Sequence, residues 1–189
     1  MDSVEGGYNG GIMATSTTAL VTVEEFRRLD DPPGIRLELH NGEVVEMTRP
    51  KHKHALIQTN VLNLLAKALG DKGWATIEFS FRAKPEGNLR VADVGWVSSA
   101  RFDAIDPDDN LYGAPEIVIE VLSPSNRAGE LLEKRDLCLG AGCEQFWVVD
   151  AKRGAVEVWR PDSTVHVYRR GDRIPVGGSD WSVDEILGA

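Results

Sequence analysis

The sequence predicts a mixed α/β or α+β fold in which one central, mixed β-sheet is flanked by helices. Segments with the 3.6-residue apolar period of a helix alternate along the chain with segments that have the two-residue period of a strand. Residues 115–124 are apolar at most positions, which is typical of a central strand that is covered on both faces. Together these observations indicate one sheet with helices packed against it.

The length of the chain, 189 residues, suits one well-filled hydrophobic core. Residues 1–19 combine Gly, Ser and Thr with almost no periodic apolar pattern, so we expect a flexible N-terminal leader there. Residues 20–189 are expected to form a single domain. Met13 is an alternative start, and the sequence leaves the choice between Met13 and Met1 open.

Composition and charge limit the classes of protein that fit. A content of 42% hydrophobic and 27% charged residues is typical of a soluble globular protein. No apolar run approaches the roughly 20 residues that span a bilayer, and the start lacks the basic and apolar regions of a signal peptide. We therefore expect a cytoplasmic protein without a membrane partner. The formal net charge of −9 argues against sequence-blind binding of a phosphate backbone, although it is compatible with a local basic groove.

Local signals in the first third of the chain predict two helices and a hairpin. Thr22 and Glu25 form a capping box that opens a short helix. The dipeptide Asn41-Gly42 stands between two alternating segments and predicts a hairpin turn. Residues 51–70 return to the helical period, with a broad apolar stripe that predicts a helix ended by glycine. The members of this stripe are Leu56, Val61, Leu64, Leu65, Ala68 and Leu69.

The middle of the chain predicts a second antiparallel pair of strands over residues 74–97, joined by a turn at residues 85–88. Residues 98–114 are rich in Asp, Pro and Ser and predict a long surface loop. The acids of this loop do not follow the spacing of a calcium-binding loop, so we interpret them as solvated. They are Asp103, Asp106, Asp108 and Asp109.

After the apolar strand, the sequence predicts a helix, another buried strand over residues 145–150 and a terminal hairpin. The helix is amphipathic, and four residues are expected to face inward: Leu131, Leu132, Leu137 and Cys138.

Two carboxylates lie within apolar strands, Asp93 in the second pair and Glu120 in the central strand. A carboxylate in such a run must pair, accept several hydrogen bonds or bind a cation to stay ionised. Two acids on neighbouring strands could hold one Mg²⁺ or Mn²⁺, because these hard cations prefer oxygen ligands. The alternative left open is that each acid caps a strand end or pairs with Arg90 or Arg127.

Three further residues can be interpreted from their positions in the sequence. Lys134 lies on the helix that follows the Glu120 strand, so its ammonium could reach the two acids and orient a water or neutralise a phosphate oxygen. Otherwise it is an exposed side chain beside Glu130. Glu38, considered with Glu43 and Glu46, fits a solvated strand face. His54, at the start of a helix, more often marks a surface or capping group than a catalytic one.

The ordered set of motifs resembles a bacterial family of restriction-endonuclease-like proteins, a branch of the PD-(D/E)XK nuclease superfamily. The motifs are RLELHNGEVV, a His opening the next helix, the ADV strand, PEIVIEVLSPSN, E-x-x-x-K and GAGCEQFWVVD. The similarity runs over residues 21–168. It implies a restriction-endonuclease-like fold and metal-dependent hydrolysis of phosphodiester bonds.

The resemblance also implies roles for individual residues. Asp93 and Glu120 match the metal-binding acids of the superfamily, and Lys134 would replace the lysine that the superfamily has at the position of Leu122. Glu38 matches the acid of the family's first hairpin, and His54 matches its helix-opening His. The sequence departs from the family pattern at four positions, none of them a proposed ligand: Ala92, Glu130, Cys138 and Gln145.

The resulting hypothesis is a DNA endonuclease that uses Mg²⁺ or Mn²⁺. Asp93, Glu120 and the Val121 carbonyl would hold the metal, and Lys134 would position the attacking water. The alternatives are a nuclease-fold domain with a degraded site that binds nucleic acid or protein, and a hydrolase of small phosphoesters. By analogy with the superfamily we also expect a homodimer, formed through edge strands and Trp159 or Trp181.

Overall fold

A nine-stranded mixed sheet forms the centre of the protein, with helices against both of its faces. The computed structural model describes residues 20–48, 51–123 and 128–188. The predicted leader over residues 1–19 and Arg127 lie outside the described residues.

The described residues form eleven strands and five helices, numbered in chain order. The strands are β1 (Ile35–His40), β2 (Glu43–Thr48), β3 (Gly73–Ala83), β4 (Asn88–Ser98), β5 (Leu111–Tyr112), β6 (Ile117–Val121), β7 (Gln145–Asp150), β8 (Ala155–Trp159), β9 (Val165–Arg169), β10 (Arg173–Val176) and β11 (Ser179–Ser182). The helices are α1 (Val23–Phe26), α2 (His52–Leu69), α3 (Ser99–Phe102), α4 (Ala128–Gly140) and α5 (Val183–Leu187). None of these described helices is long and apolar enough to cross a membrane.

The large sheet has the strand order β2-β1-β4-β6-β7-β8-β9, and β3 pairs with both β4 and β5. Strands β6 and β7 are parallel, because the chain crosses over between them through α4. Strand β4 pairs with β6 in the antiparallel sense. The predicted mixed sheet flanked by helices is therefore confirmed.

The predicted turn and cap signals near the N-terminus are confirmed. The Thr22 side chain accepts a hydrogen bond from the Glu25 N–H, and the Glu25 carboxylate accepts one from the Thr22 N–H. Asn41 and Gly42 both have positive φ, 52° and 86°, as a two-residue turn between β1 and β2 requires. Helix α2 has 18 residues and ends at Leu69, immediately before Gly70.

Several details of the predicted burial pattern are wrong. Leu56 is exposed and Ile57 is buried in its place, because the inward face of α2 repeats at every fourth residue from Ile57 to Leu69. Leu132 of α4 is also exposed. Residues 98–114 are more ordered than the predicted loop, since they contain α3 and the strand β5, which extends the sheet beside β3. Within this segment, Asp109 is paired with Arg82 at 3.0 Å and is not a fully solvated acid.

The C-terminal hairpin of β10 and β11, together with α5, was not predicted. Helix α5 packs on α2 and on β11, and the hairpin and α5 extend the hydrophobic cluster beneath α2. Trp181 is 2% exposed and lies 5.7 Å, centroid to centroid, from Trp147. Trp181 is therefore a core residue and is not available for the predicted dimer surface, while the homodimer itself stays a prediction.

Strand β6 separates two hydrophobic clusters, and this arrangement positions the site. Its odd-numbered residues, such as Ile119, belong to the cluster beneath α2, whereas Val118 belongs to the cluster with Cys138 of α4. Side chains alternate along a strand, so Glu120 faces the α4 side with Val118. The site thus forms where side chains from both helices reach the end of the same strand.

Candidate metal and catalytic centre

Asp93 and Glu120 are neighbours at the point where β4 and β6 stop pairing. The register runs from Trp96 opposite Ile117 to Val94 opposite Ile119, so the next residues along the two strands are Asp93 and Glu120. The Asp93 N–H donates to Glu120 Oε1 at 3.3 Å, and the Val121 N–H donates to Asp93 Oδ2 at 2.8 Å. Each acid therefore accepts a main-chain hydrogen bond from the other strand.

Helix α2 supplies two side chains to Asp93. Gln58, which is buried, donates from Nε2 to the Asp93 carbonyl oxygen at 3.2 Å and to Asp93 Oδ1 at 3.3 Å. One turn earlier, His54 places its Nε2 3.1 Å from Asp93 Oδ1. The structure thus brings His54 into the site, because residues four apart share one face of a helix.

Helix α4 supplies Lys134, which is buried. Its Nζ lies 2.8 Å from Glu120 Oε1 and donates to the Val91 carbonyl oxygen at 2.7 Å. The interpretation of Lys134 as an exposed side chain is therefore wrong. Asp93, Glu120 and Lys134 converge, although their positions in the sequence are far apart.

Strand β1 supplies Glu38, which is 1% exposed, so its interpretation as part of a solvated face is wrong. Its carboxylate accepts a hydrogen bond from Arg36 at 2.9 Å and lies 3.1 Å from His40 Nε2. Glu43 and Glu46 on β2 are exposed, as predicted. Glu38 differs from them because β1 lies inside the sheet, whereas β2 is its edge strand.

The electrostatics of the site show an excess of negative charge around one ammonium. Burial opposes ionisation of Glu38, but the charge of Lys134, the hydrogen bond from His40 and the charge of Arg36 lower its pKa to about 2. Burial raises the pKa of Glu120 to about 7; Lys134 opposes this shift, while the charges of Asp93 and Glu38 add to it. Burial also disfavours the charged form of Lys134, yet the three carboxylates outweigh it and raise the Lys134 pKa well above its ordinary value.

An irregularity between β3 and β4 frees the backbone of Asp93. Paired residues run from Ile77 opposite Val94 directly to Phe79 opposite Ala92, and Glu78, across from Asp93, has a left-handed φ of 53°. The side chains of β3 change sides of the sheet at this point: Ala75 packs on the α2 side, whereas Phe79 packs on the α4 side. The Asp93 N–H and C=O groups consequently bond to the Glu120 and Gln58 side chains.

Two of the alternative partners considered for the acids can be assessed separately. Arg90 bonds to Asn88 and Glu133 and lies beside His40, and its described contacts include neither Asp93 nor Glu120. Arg127 lies outside the described residues. The pairing of the acids with Arg90 is therefore not observed.

Sequence reasoning missed several residues of the site. Arg36 and His40 share the Glu38 face of β1 by simple alternation, which is the signal that could have found them. Gln58 was noted only as a residue on the face of His54. Glu133 could not have been found, because only the position of α4 relative to β4 brings it to Arg90.

The donor set fits a hard divalent cation with few protein ligands. Within residues 20–48, 51–123 and 128–188, no three His, Cys, Asp or Glu side chains form a group that could hold a metal ion. Asp93 and Glu120 offer two carboxylates, and Mg²⁺ is commonly held by one or two carboxylates with water in the other positions. The Val121 N–H donates a hydrogen bond to Asp93. The Val121 carbonyl stays a predicted ligand of the metal.

Comparisons with known proteins identify the family and the fold of the chain. The profile of the Uma2 family, described as "Putative restriction endonuclease", matches residues 23–184. A search of the curated proteins found no match. Among solved structures, the chain is similar to the crystal structure of a putative nuclease from Anabaena variabilis, with 21% sequence identity, a TM-score of 0.77, and coverage of 89% of this chain and 98% of that chain. At this identity the likeness shows the fold, and the predicted resemblance is confirmed.

Proposed function

The chain belongs to the Uma2 family of putative restriction endonucleases, and from this premise we propose that it hydrolyses phosphodiester bonds of DNA with the aid of Mg²⁺ or Mn²⁺. The observation that supports the proposal most strongly is the convergence of Asp93, Glu120 and Lys134 at the end of β6. Two acids and a lysine from separate elements meet there, although each would be costly to bury alone.

Asp93 and Glu120 would hold the metal ion, with the Val121 carbonyl and water as further ligands. The bound ion would supply Lewis-acid stabilisation of a phosphate oxygen and lower the pKa of a water. Burial is the main cause of the raised Glu120 pKa, and the negative charge of Asp93 adds to this shift although Lys134 opposes it. A divalent cation at this place would balance that charge.

Lys134 would act as a hydrogen-bond donor. The surrounding carboxylates raise its pKa, so the side chain stays an ammonium at neutral pH and cannot accept a proton from water. An ammonium near Glu120 can instead orient the attacking water or stabilise charge on a phosphate oxygen. Glu38 would contribute by keeping this ammonium charged.

His54 would be an auxiliary residue of the site, beside Asp93. Its Nε2 is buried and lies 3.1 Å from Asp93 Oδ1, without the geometry of a hydrogen bond between the two atoms. Gln58 would hold Asp93 in place from the same helix.

Cleavage of DNA tests the proposal. Supercoiled plasmid, linear duplex and single-stranded DNA are incubated with Mn²⁺ and the parent protein, Glu120→Ala or Glu43→Ala, the last being a matched control on an exposed strand position. We expect the parent and Glu43→Ala to cut, and Glu120→Ala to be inactive.

Two other outcomes have defined meanings. Equal cleavage by the parent and Glu120→Ala would indicate a contaminating nuclease and contradict the assignment of the site. Binding of DNA without cleavage would favour the alternative function, a nuclease-fold domain that binds nucleic acid, which the absence of a lysine at the position of Leu122 also favours.

A further inference from the structure

A row of polar and charged side chains extends from Glu38 away from the proposed metal site. His40 lies between Glu38 and Arg90: its Nε2 is 3.1 Å from Glu38 Oε2, and its Nδ1 is 2.9 Å from Arg90 Nη1. Arg90 then donates from Nη2 to Glu133 Oε1 at 2.5 Å and from Nε to Asn88 Oδ1 at 3.2 Å. All three nitrogen atoms of the guanidinium therefore have a partner.

The chemistry of arginine fixes the protonation of His40. A guanidinium has five N–H donors and no acceptor, so the imidazole nitrogen that faces it must accept a hydrogen bond and carry no proton. The remaining proton of a neutral imidazole is then on Nε2, which is the nitrogen that faces Glu38. A carboxylate oxygen accepts from that N–H, so both contacts of the ring are satisfied by one tautomer.

We infer that Arg90 holds His40 in the neutral Nε2–H tautomer and that Arg90 and His40 are positioning residues, which orient the Glu38 carboxylate. The functional part of this inference rests on the proposed nuclease function. The tautomer itself follows from the contacts alone.

The burial of Arg90 makes the tautomer unusually well determined. The residue is 1% exposed, so water cannot readily replace His40 as the partner of Nη1. A proton on His40 Nδ1 would place an N–H directly against a buried cation. The contact with Arg90 therefore favours the tautomer of His40 in which Nδ1 carries no proton.

The consequence for Glu38 is a fixed orientation. One carboxylate oxygen accepts from Arg36 and the other from the His40 N–H. Both donors lie two residues away on the same face of β1, so the carboxylate has two directed bonds and little rotational freedom. The ammonium of Lys134 is the strongest of the positive charges that act on this carboxylate.

A second contact between an arginine and a histidine serves as a comparison. On the exposed hairpin of β8 and β9, Arg160 Nη1 lies 3.1 Å from His166 Nδ1, which is the same pair of atoms as in Arg90 and His40. This second contact is solvent-exposed, so water competes for both ring nitrogens. His166 should accordingly be less restricted to one tautomer than His40.

Nitrogen NMR of the histidine rings tests the inference. The full chain is labelled with ¹⁵N-histidine, and long-range ¹H–¹⁵N spectra are recorded at pH 7 for the parent, Arg90→Met, Arg90→Lys and Arg160→Met. The chain has four histidines, and His40→Gln assigns the ring signals of His40 by their loss. In the parent we expect a protonated Nε2 and an unprotonated Nδ1 for His40.

The variants separate the role of Arg90 from a general effect on folding. Arg90→Met should release His40 from the single tautomer, Arg90→Lys should retain it because an ammonium still donates, and Arg160→Met should leave it unchanged. A protonated Nδ1 in the parent, or an unaltered His40 in Arg90→Met, would overturn the inference. If Arg90→Met does not fold, the parent spectrum still decides the tautomer.

Cleavage assays test the functional part separately. His40→Gln keeps an N–H that can donate to Glu38, whereas His40→Phe removes it, so we expect His40→Phe to lose about 10- to 100-fold in activity relative to His40→Gln. Equal activities of two folded variants would overturn the positioning role. If the parent does not cut DNA, the proposed function fails, and the NMR spectra still decide the tautomer.

Discussion

Lys134 Nζ lies 2.8 Å from Glu120 Oε1 and 2.7 Å from the Val91 carbonyl oxygen, within the interior of the protein. This contact joins the helix after β6 to the acid on β6 itself, and it satisfies two of the three donors of the ammonium. No partner of the third donor is observed among residues 20–48, 51–123 and 128–188, so this donor could bind a water or a phosphate oxygen. The contact therefore links the stability of the fold to the proposed chemistry.

Replacement of Lys134 should lower both the stability of the fold and the cleavage of DNA. Lys134→Met leaves the buried Glu120 without its cation, and removing one partner of a buried pair costs about 3–5 kcal/mol in the free energy of unfolding. Cleavage of DNA should also be lost. Urea unfolding and plasmid cleavage measure the two effects, and Lys152→Met, at an exposed position, is the control. A Lys134→Met protein as stable as the control would contradict the pairing.

The stability of the protein should depend on the protonation of Glu120. The folded state raises the Glu120 pKa from 4.5 to about 7, so between these pH values the folded state binds more protons than the unfolded state. The contribution of this group is therefore complete below pH 4.5 and is lost as the pH rises to 7, on the order of 1–3 kcal/mol. Urea unfolding of the parent and Glu120→Gln between pH 4.5 and 8 measures it. Parallel pH profiles for the two proteins would exclude the effect.

Gln58 should support the metal site through Asp93. Gln58→Met retains the volume of the buried side chain but removes the donor to Asp93, and the loss of such an outer partner typically lowers metal affinity about 10- to 100-fold. Calorimetric titration with Mn²⁺ measures the affinity. Asn63→Met, an exposed change on the same helix, should leave it unaltered. An equal affinity in the two variants would argue against a role for Gln58.

The left-handed backbone conformation of Glu78 should measurably lower the stability of the folded protein. Glu78→Gly and Glu78→Val both remove the contact with Arg36, so their difference isolates the backbone. Because glycine adopts positive φ freely and a β-branched residue does not, the Val variant should be less stable than the Gly variant by about 1–2 kcal/mol. Thermal unfolding measures the difference. Equal transition temperatures would show that the strand can pair regularly at Glu78.

The fold was predictable where local signals and long-range packing agree. The turn at Asn41 and Gly42 and the cap at Thr22 depend only on neighbouring residues, so they could be read directly. The continuous apolar run of β6 identified the centre of the sheet. The hairpin of β10 and β11 was missed because its core residues, Ile174 and Trp181, are separated by polar and glycine positions and are buried only by packing on distant elements.

The site was predictable in its ionisable residues and unpredictable in its geometry. Asp93 and Glu120 stand out because a carboxylate is rare within an apolar strand. The burial of Glu38 could not be read from β1, whose alternation is the same on an exposed strand; it depends on the position of β1 between β2 and β4. The contact between Arg90 and Glu133 depends on the placement of α4 across the sheet, which no local pattern specifies.

A crystal structure with Mn²⁺ tests the central claim most directly. An anomalous difference map locates the ion independently of any assay, and Asp93→Asn serves as the comparison. We predict a single peak between the Asp93 and Glu120 carboxylates, at roughly 2.0–2.2 Å from an oxygen of each, and no peak there in Asp93→Asn. A map of the parent at saturating Mn²⁺ without a peak between these two residues would contradict the account.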